Sequence, residues 1–169
     1  METQQMTEAS NAIISSAQLL EHWQGQRRLT RKVIEAYPED KFFDYTIGGM
    51  RPFAQLLMEV LDVAGSGIEG IATGNWKSMD QLSHVTGNGP KTKQEILQQW
   101  DALTEQIDQL WLQITPERFQ EKVLAFGAFE GPVYSTLLYF NDNEIHHRAQ
   151  AYVYLRSLGI SPPPFWDRN

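Results

Sequence analysis

Ile96, Trp100, Leu103, Ile107, Leu110 and Ile114 follow one another at steps of four, three, four, three and four residues. An α-helix returns to the same face about every 3.6 residues, so this run builds a single apolar seam. A seam of that kind is stable only when other helices cover it. Three further stretches supply such helices. Asn11, an N-cap residue type, opens a pattern that runs to Tyr37, with Ile13, Ile14, Ala17, Leu20, Trp23, Val33 and Ile34 at helical spacings and Pro38 after it. Pro52 stands where a first-turn proline belongs, ahead of a strongly apolar run from Phe53 to Ile71. The last pattern follows Gly131-Pro132 and ends at Gly159, beyond which Pro162, Pro163 and Pro164 prevent continuation.

The seam helix itself opens at Thr92 and Glu95, which have capping-box spacing, and Pro116 lies past its end. Val123 to Phe129 reads as two short extended pieces around Gly127. The expected fold is therefore all-α, a four-helix bundle formed as one domain over residues 1–169, either antiparallel or with crossovers. The connections after the second and third helices, roughly 15 residues each, are long for a simple up-down bundle. They leave room for crossovers or for a rim around a cavity.

The terminal helix carries the feature that points to function. Val133, Leu137, Phe140, Ala151, Tyr154, Leu155 and Leu158 share one side, and Asn143, Glu144 and His147 interrupt that same side. His146 points roughly opposite. Burying an imidazole and an amide costs free energy unless each finds a partner, so the island needs either hydrogen bonds or a metal ion. Asn143 and His147, four apart, are stacked as two ligands from one helix must be, and a satisfied structural histidine fits the same spacing. Glu144 and His147 match the Glu-x-x-His element of dimetal bundles, but such sites need that element twice, and no second copy exists. On the second helix Gln55, Glu59, Asp62 and Ser66 form a polar stripe that faces either solvent or a wet cleft. His22 and His84 read as solvated, Arg148 as a flank residue pairing with Glu144, and Tyr152, Tyr154, Phe165 and Trp166 as core and interface anchors.

Composition removes several function classes. With 21 acidic against 14 basic residues the net charge is −7, which disfavours the phosphate backbones of nucleic acids. Cysteine is absent, which excludes disulfides, thiolate ligands and a cysteine nucleophile. The opening METQQMTEAS lacks the basic start and apolar run of a secretory signal, and no stretch approaches the roughly 18 apolar residues of a membrane span. The expectation is a cytoplasmic protein that engages neither nucleic acid nor membrane.

The segment NEIHHRAQAYVYLRSLGISPPPFW resembles the C-terminal signature of the DinB/YfiT-like superfamily, a His-x-x-x-His-Arg-x-Gln motif followed by Tyr-Leu-Arg, Gly and a proline pair. MRPFAQLLMEVLDVAG (Met50 to Gly65) and GIATGNW (Gly70 to Trp76) are similar to its second helix and the segment after it. The resemblance implies a DinB-like bundle in which three residues, typically histidines, hold one divalent metal. Carried over, those positions are Glu59, Asn143 and His147, with one histidine retained. Oxygen donors in place of imidazole imply weaker binding and a bias toward harder ions among nickel, zinc, manganese and iron. Glu144 then stands as a hydrogen-bond acceptor that fixes an imidazole.

The resemblance implies a metal-dependent thiol S-transferase, isomerase or hydrolase acting on a small molecule, with a low-molecular-weight thiol as co-substrate because the chain has none. The other expectation is a non-enzymatic, stress-related bundle whose degenerate site binds a small ligand or a protein partner. A homodimer through a surplus apolar helix face is expected with either.

Overall fold

In a computed structural model of the chain, residues 13–169 are described. In chain order the elements are α1 (Ser16–Ala36), α2 (Phe53–Thr73), the one-turn α3 (Ser83–Thr86), α4 (Lys93–Trp111), the strands β1 (Lys122–Ala125) and β2 (Phe129–Pro132), and α5 (Val133–Ser157). The four long helices form the bundle. The start of α1 is fixed by a capping box in which Gln18 N donates to Ser15 Oγ and Ser15 N to Gln18 Oε1. Asn11, the expected cap, lies outside the described residues. Ile13 and Ile14 precede the helix and are exposed, so the apolar face of α1 begins later than the sequence suggests. Thr92 and Glu95 do form the capping box of α4.

Side-chain pairs give the helix directions. Gln24 meets Asp108, Arg27 meets Thr104 and Arg31 meets Asp101, so α1 and α4 are antiparallel. Gln26 with Arg148 and Thr30 with Glu144 make α1 antiparallel to α5. Tyr154 Oη donates to the Arg51 carbonyl at 2.7 Å, Asn143 reaches Glu59, and Phe140 lies on Gly67, which makes α2 antiparallel to α5. It follows that α1 runs parallel to α2, and α4 parallel to α5. The bundle is up-up-down-down, and the segments 37–52 and 112–132 are its crossovers. Of the two arrangements open to the sequence, the crossover form is observed. One of its crossovers follows the first helix, while the connection after α2 joins antiparallel helices and carries α3.

Contacts pair α2 with α4 and α5, and α1 with the same two helices. Trp23, Trp100, Phe53, Tyr37 and Phe140 fill the centre, and each apolar side chain of this kind contributes about 1.5–3 kcal/mol by leaving water. The Phe140 ring lies so close to α2 that a Cβ at Gly67 would sit 2.2 Å from its Cζ. The chain end straps α1, with Lys32 Nζ 2.9 Å from Asp167 Oδ2 and Arg28 Nε donating to the Arg168 carbonyl at 2.7 Å. Tyr154 is a core residue as expected, but Phe165 and Trp166 are exposed. Among the described residues no helix is long and apolar enough to cross a membrane.

β1 and β2 pair antiparallel on either side of Gly127. Their turn places both Phe126 (φ 55°) and Gly127 (φ 70°) in the left-handed region. Glycine adopts that conformation freely, whereas a bulky phenylalanine does so only when its surroundings hold it. The Phe126 ring is buried against Trp76 and Phe140, which supplies the hold.

Candidate functional site

The polar stripe of α2 is neither one solvent face nor one cleft: burial increases along it, and its residues line separate hollows. Gln55 is exposed, Glu59 and Asp62 are half-buried, and Ser66 is buried. Glu59 points toward α5. Its Oε1 accepts from Asn143 Nδ2 at 3.0 Å and lies 3.1 Å from His147 Nε2, while Arg51 Nη2 donates to Oε2 at 2.7 Å. The Glu59 carboxyl is held well below the usual carboxylate range, first by His147 and then by Arg51 and Asn143, against the opposing effect of burial. Glu59, Asn143 and His147 are thus brought together at one carboxylate oxygen.

Glu144 is not part of this group. It faces the other way, between α1 and α5, where Thr30 Oγ1 donates to it at 2.6 Å and Arg27 and Arg148 stand 3.8 and 3.9 Å away. Burial pushes its carboxyl up against the pull of Arg27, Thr30 and Arg148. Arg148 donates to the Gln26 carbonyl, Gln26 Oε1 and Thr30 Oγ1, and Arg27 stacks over Trp100 at 3.9 Å. Arg148 is consequently a buried cross-helix residue rather than a flank residue. The polar island of the terminal helix is two sites back to back, one facing α2 and one facing α1. The imidazole of His147 is oriented by Gln150, whose Oε1 lies 2.7 Å from Nδ1, and not by Glu144.

Glu59 also forms part of the wall of a cavity of about 300 Å³. Its other walls come from the hairpin and α5, with Phe126, Phe129, Tyr139 and Phe140 presenting aromatic surface and Glu130 at one side. His84 lines the same cavity. Expected to be solvated, its side chain is only 12% exposed, and Nδ1 lies 2.7 Å from Asp62 Oδ2. Asp62 accepts in addition from the His84 backbone N–H and from Ser83 Oγ, supplying the cap that α3 lacks at Leu82. Trp76 packs over Gly70 and Phe126.

A divalent metal, which the resemblance implies, can be tested against this donor set. The Gln150 amide turns its nitrogen to Met50 Sδ at 3.4 Å and its oxygen to His147 Nδ1. With the amide in that orientation the ring proton sits on Nδ1 and Nε2 presents a lone pair to the Glu59 carboxylate; with the amide reversed, Nε2 carries the proton and donates to Glu59 Oε1. In the first arrangement the contact is favourable only with a positive charge, either a second ring proton or a metal ion. Asn143 Oδ1 is buried with no hydrogen-bond partner, and a half-turn of the amide would bring it to the place now held by Nδ2. Donor atoms sharing one ion at about 2.1 Å sit roughly 3 Å apart at right angles, which is the spacing of Oε1 from its two neighbours. The residues therefore fit a divalent ion. Among the described residues no three His, Cys, Asp or Glu side chains cluster to hold a metal ion.

Arg51 and the pair Gln26 and Thr30 were not singled out by their positions in the sequence, whereas Asp62 stood in the polar stripe and Gln150 in the family motif, neither with a role at the site. The i, i+3 spacing of Glu59 with Asp62 and of His147 with Gln150 was the available signal.

The sequence profile of the DinB family matches residues 4–168. Solved structures similar in fold include two DinB-like proteins. The crystal structure of a DinB-like protein from Bacillus subtilis aligns with a TM-score of 0.68 at 19% identity, over 90% of this chain and 99% of that one. A DinB-like protein from Bacillus cereus ATCC 10987 aligns with a TM-score of 0.69 at 15% identity, over 88% of this chain and 95% of that one. No protein among those with curated functions matches.

Proposed function

The chain belongs to the DinB family, and from that membership and the convergence on Glu59 we propose that Glu59, Asn143 and His147 form a divalent-cation site beside a small-molecule pocket. The observation that carries this reading is the buried Asn143 Oδ1, which has no partner although it lies beside the Glu59 carboxylate and the His147 ring. A cation shared with Glu59 and His147 answers it. An ion held there supplies Lewis acidity, which lowers the pKa of a bound water or thiol toward neutrality.

The chain's own residues do the remainder. Gln150 fixes the ring of His147. Arg51, on the far oxygen of Glu59, leaves Oε1 as the ligating atom and cancels part of its charge, so affinity falls below that of a three-histidine site. The aromatic walls keep water from the small molecule and hold its apolar part. With this arrangement a thiol S-transferase, isomerase or hydrolase is the enzyme class proposed, and any thiol is a low-molecular-weight co-substrate because the chain contains no cysteine.

A second reading has its own observation. The Arg51–Glu59 pair at 2.7 Å already neutralises the one anionic donor, which suits a bundle that binds a small ligand without metal. Calorimetric titration of manganese, nickel and zinc into protein prepared without a histidine tag separates the two. Binding in the parent that weakens ~10-fold or more in His147→Ala supports the metal reading. Equal binding by parent and variant refutes the site, and binding by neither favours the second reading.

A further inference from the structure

The cavity wall carries one imidazole, that of His84, which the cation site does not use. His84 is held by Asp62 through both its backbone and its ring: Asp62 Oδ2 is 2.7 Å from His84 N and 2.7 Å from His84 Nδ1. A carboxylate is an acceptor only, so the ring proton resides on Nδ1. Nε2 has no hydrogen-bond partner among the described residues, although the side chain is seven-eighths enclosed and lines the cavity that Glu59 lines. An imidazole with one nitrogen fixed by a carboxylate and the other left as a free base beside a small-molecule cavity is the arrangement that accepts a proton from a bound X–H group.

We propose that His84, oriented by Asp62, is the proton acceptor of the pocket, and that the molecule bound there carries an acidic hydroxyl or thiol on an apolar, ring-sized body. The inference rests on the pocket proposed above but not on its cation. The proton leaves the oxygen or sulfur of the ligand and bonds to Nε2. The imidazolium so formed is balanced by Asp62 on one side and by the new anion on the other, and no oxidant or further reactant is required. The aromatic walls suit the body of such a ligand, and a cavity of about 300 Å³ limits it to a small one. Glu59 and Glu130, the carboxylates on the same lining, repel an anion. Ionisation of a bound ligand therefore reports on His84 rather than on the general field of the pocket.

A structural role for His84 as a tether of α3 is also consistent with its backbone contact, so the test needs a readout that tethering does not move. The probe is 4-nitrophenol, whose anion absorbs in the visible, added to chelator-treated protein labelled with ¹⁵N-histidine. In the free protein the two-bond nitrogen–proton spectrum is expected to show His84 protonated at Nδ1 with Nε2 basic. Saturating probe is expected to increase the phenolate band over that of free probe at the same pH and to move the Nε2 resonance toward the protonated range. His84→Gln keeps the backbone N–H that caps α3 and is expected to retain its helical circular dichroism while returning the bound probe to the spectrum of the free one. Asp62→Asn is expected to mix the two tautomers of His84. A His84 that carries its proton on Nε2, a His84→Gln protein that ionises the probe as the parent does, or no binding at millimolar probe each overturns the proposal. Because metal is removed throughout, failure of the cation site leaves these outcomes unchanged.

Discussion

Replacing Gly67 by alanine tests the contact on which the site depends. In an exposed helix interior Gly→Ala gains about 1 kcal/mol, because alanine has the highest helix propensity and glycine loses the most backbone freedom. Here the sign should reverse. An ideal Cβ at residue 67 would lie 2.2, 2.5 and 2.9 Å from three atoms of the Phe140 ring, and that ring is buried against Trp23 and Phe126. Neither α2 nor α5 can retreat without loosening the contact between them two turns away, where Glu59 meets Asn143 and His147. Forcing a methyl into a filled contact costs about 1–3 kcal/mol, and displacing Phe140 loses part of the 3–5 kcal/mol that its complete truncation would cost. Net of the propensity gain, Gly67→Ala should destabilise by about 1–3 kcal/mol. For a chain of this size that lowers Tm by roughly 2–10 °C. Calorimetry or thermal circular dichroism measures it, and Phe140→Leu in the same background, by shortening the ring, should return part of the loss. A Gly67→Ala protein with a raised Tm, or a double variant whose losses simply add, would refute the reasoning.

Two further outcomes follow from the charges. Glu144→Ala leaves Arg27 and Arg148 buried without their shared counter-charge, and urea unfolding should show a loss of about 3–5 kcal/mol, smaller for Glu144→Gln because the amide still accepts from Thr30. A loss under about 1 kcal/mol for Glu144→Ala would mean the cluster is solvated. Glu59 has a folded pKa below its unfolded value, so its contribution is complete above the unfolded value near ~4.3 and is lost as pH falls through the lower folded one. The stability difference between the parent and Glu59→Gln should therefore be flat down to that pH and shrink beneath it, by up to about 1.4 kcal/mol per pH unit. A difference that grows as pH falls would contradict the pairing.

Much of the bundle was legible because it rests on local chemistry. The four-three steps of α4, the Thr92 and Glu95 box, the prolines at 38, 52 and 116 and Gly159 each act within a turn or two of their own position. The start of α1 was misplaced because Asn11 and Ser15 are both good caps, and only Gln18 meeting Ser15 decides between them. For the site, the periodicity of α5 correctly gathered Asn143, Glu144 and His147 on the buried side but assigned them to one group. Successive residues on a helix differ by about 100°, so one buried side is wide enough to face two neighbours. His84 looked like a loop residue because its partner, Asp62, is 22 positions away.

The sequence by itself determined that this chain makes long amphipathic helices, where most of them stop, and which face of the last one is buried. The tertiary structure alone decided that α1 and α2 run in the same direction, that Glu59 meets His147 while Glu144 turns to Arg27 and Arg148, and that His84 joins the cavity of Glu59. The division has a physical cause. Helix propensity and capping act over three or four residues, whereas the partner of a buried polar group is set by which helix lies across from it, and that depends on the packing of the whole core at once.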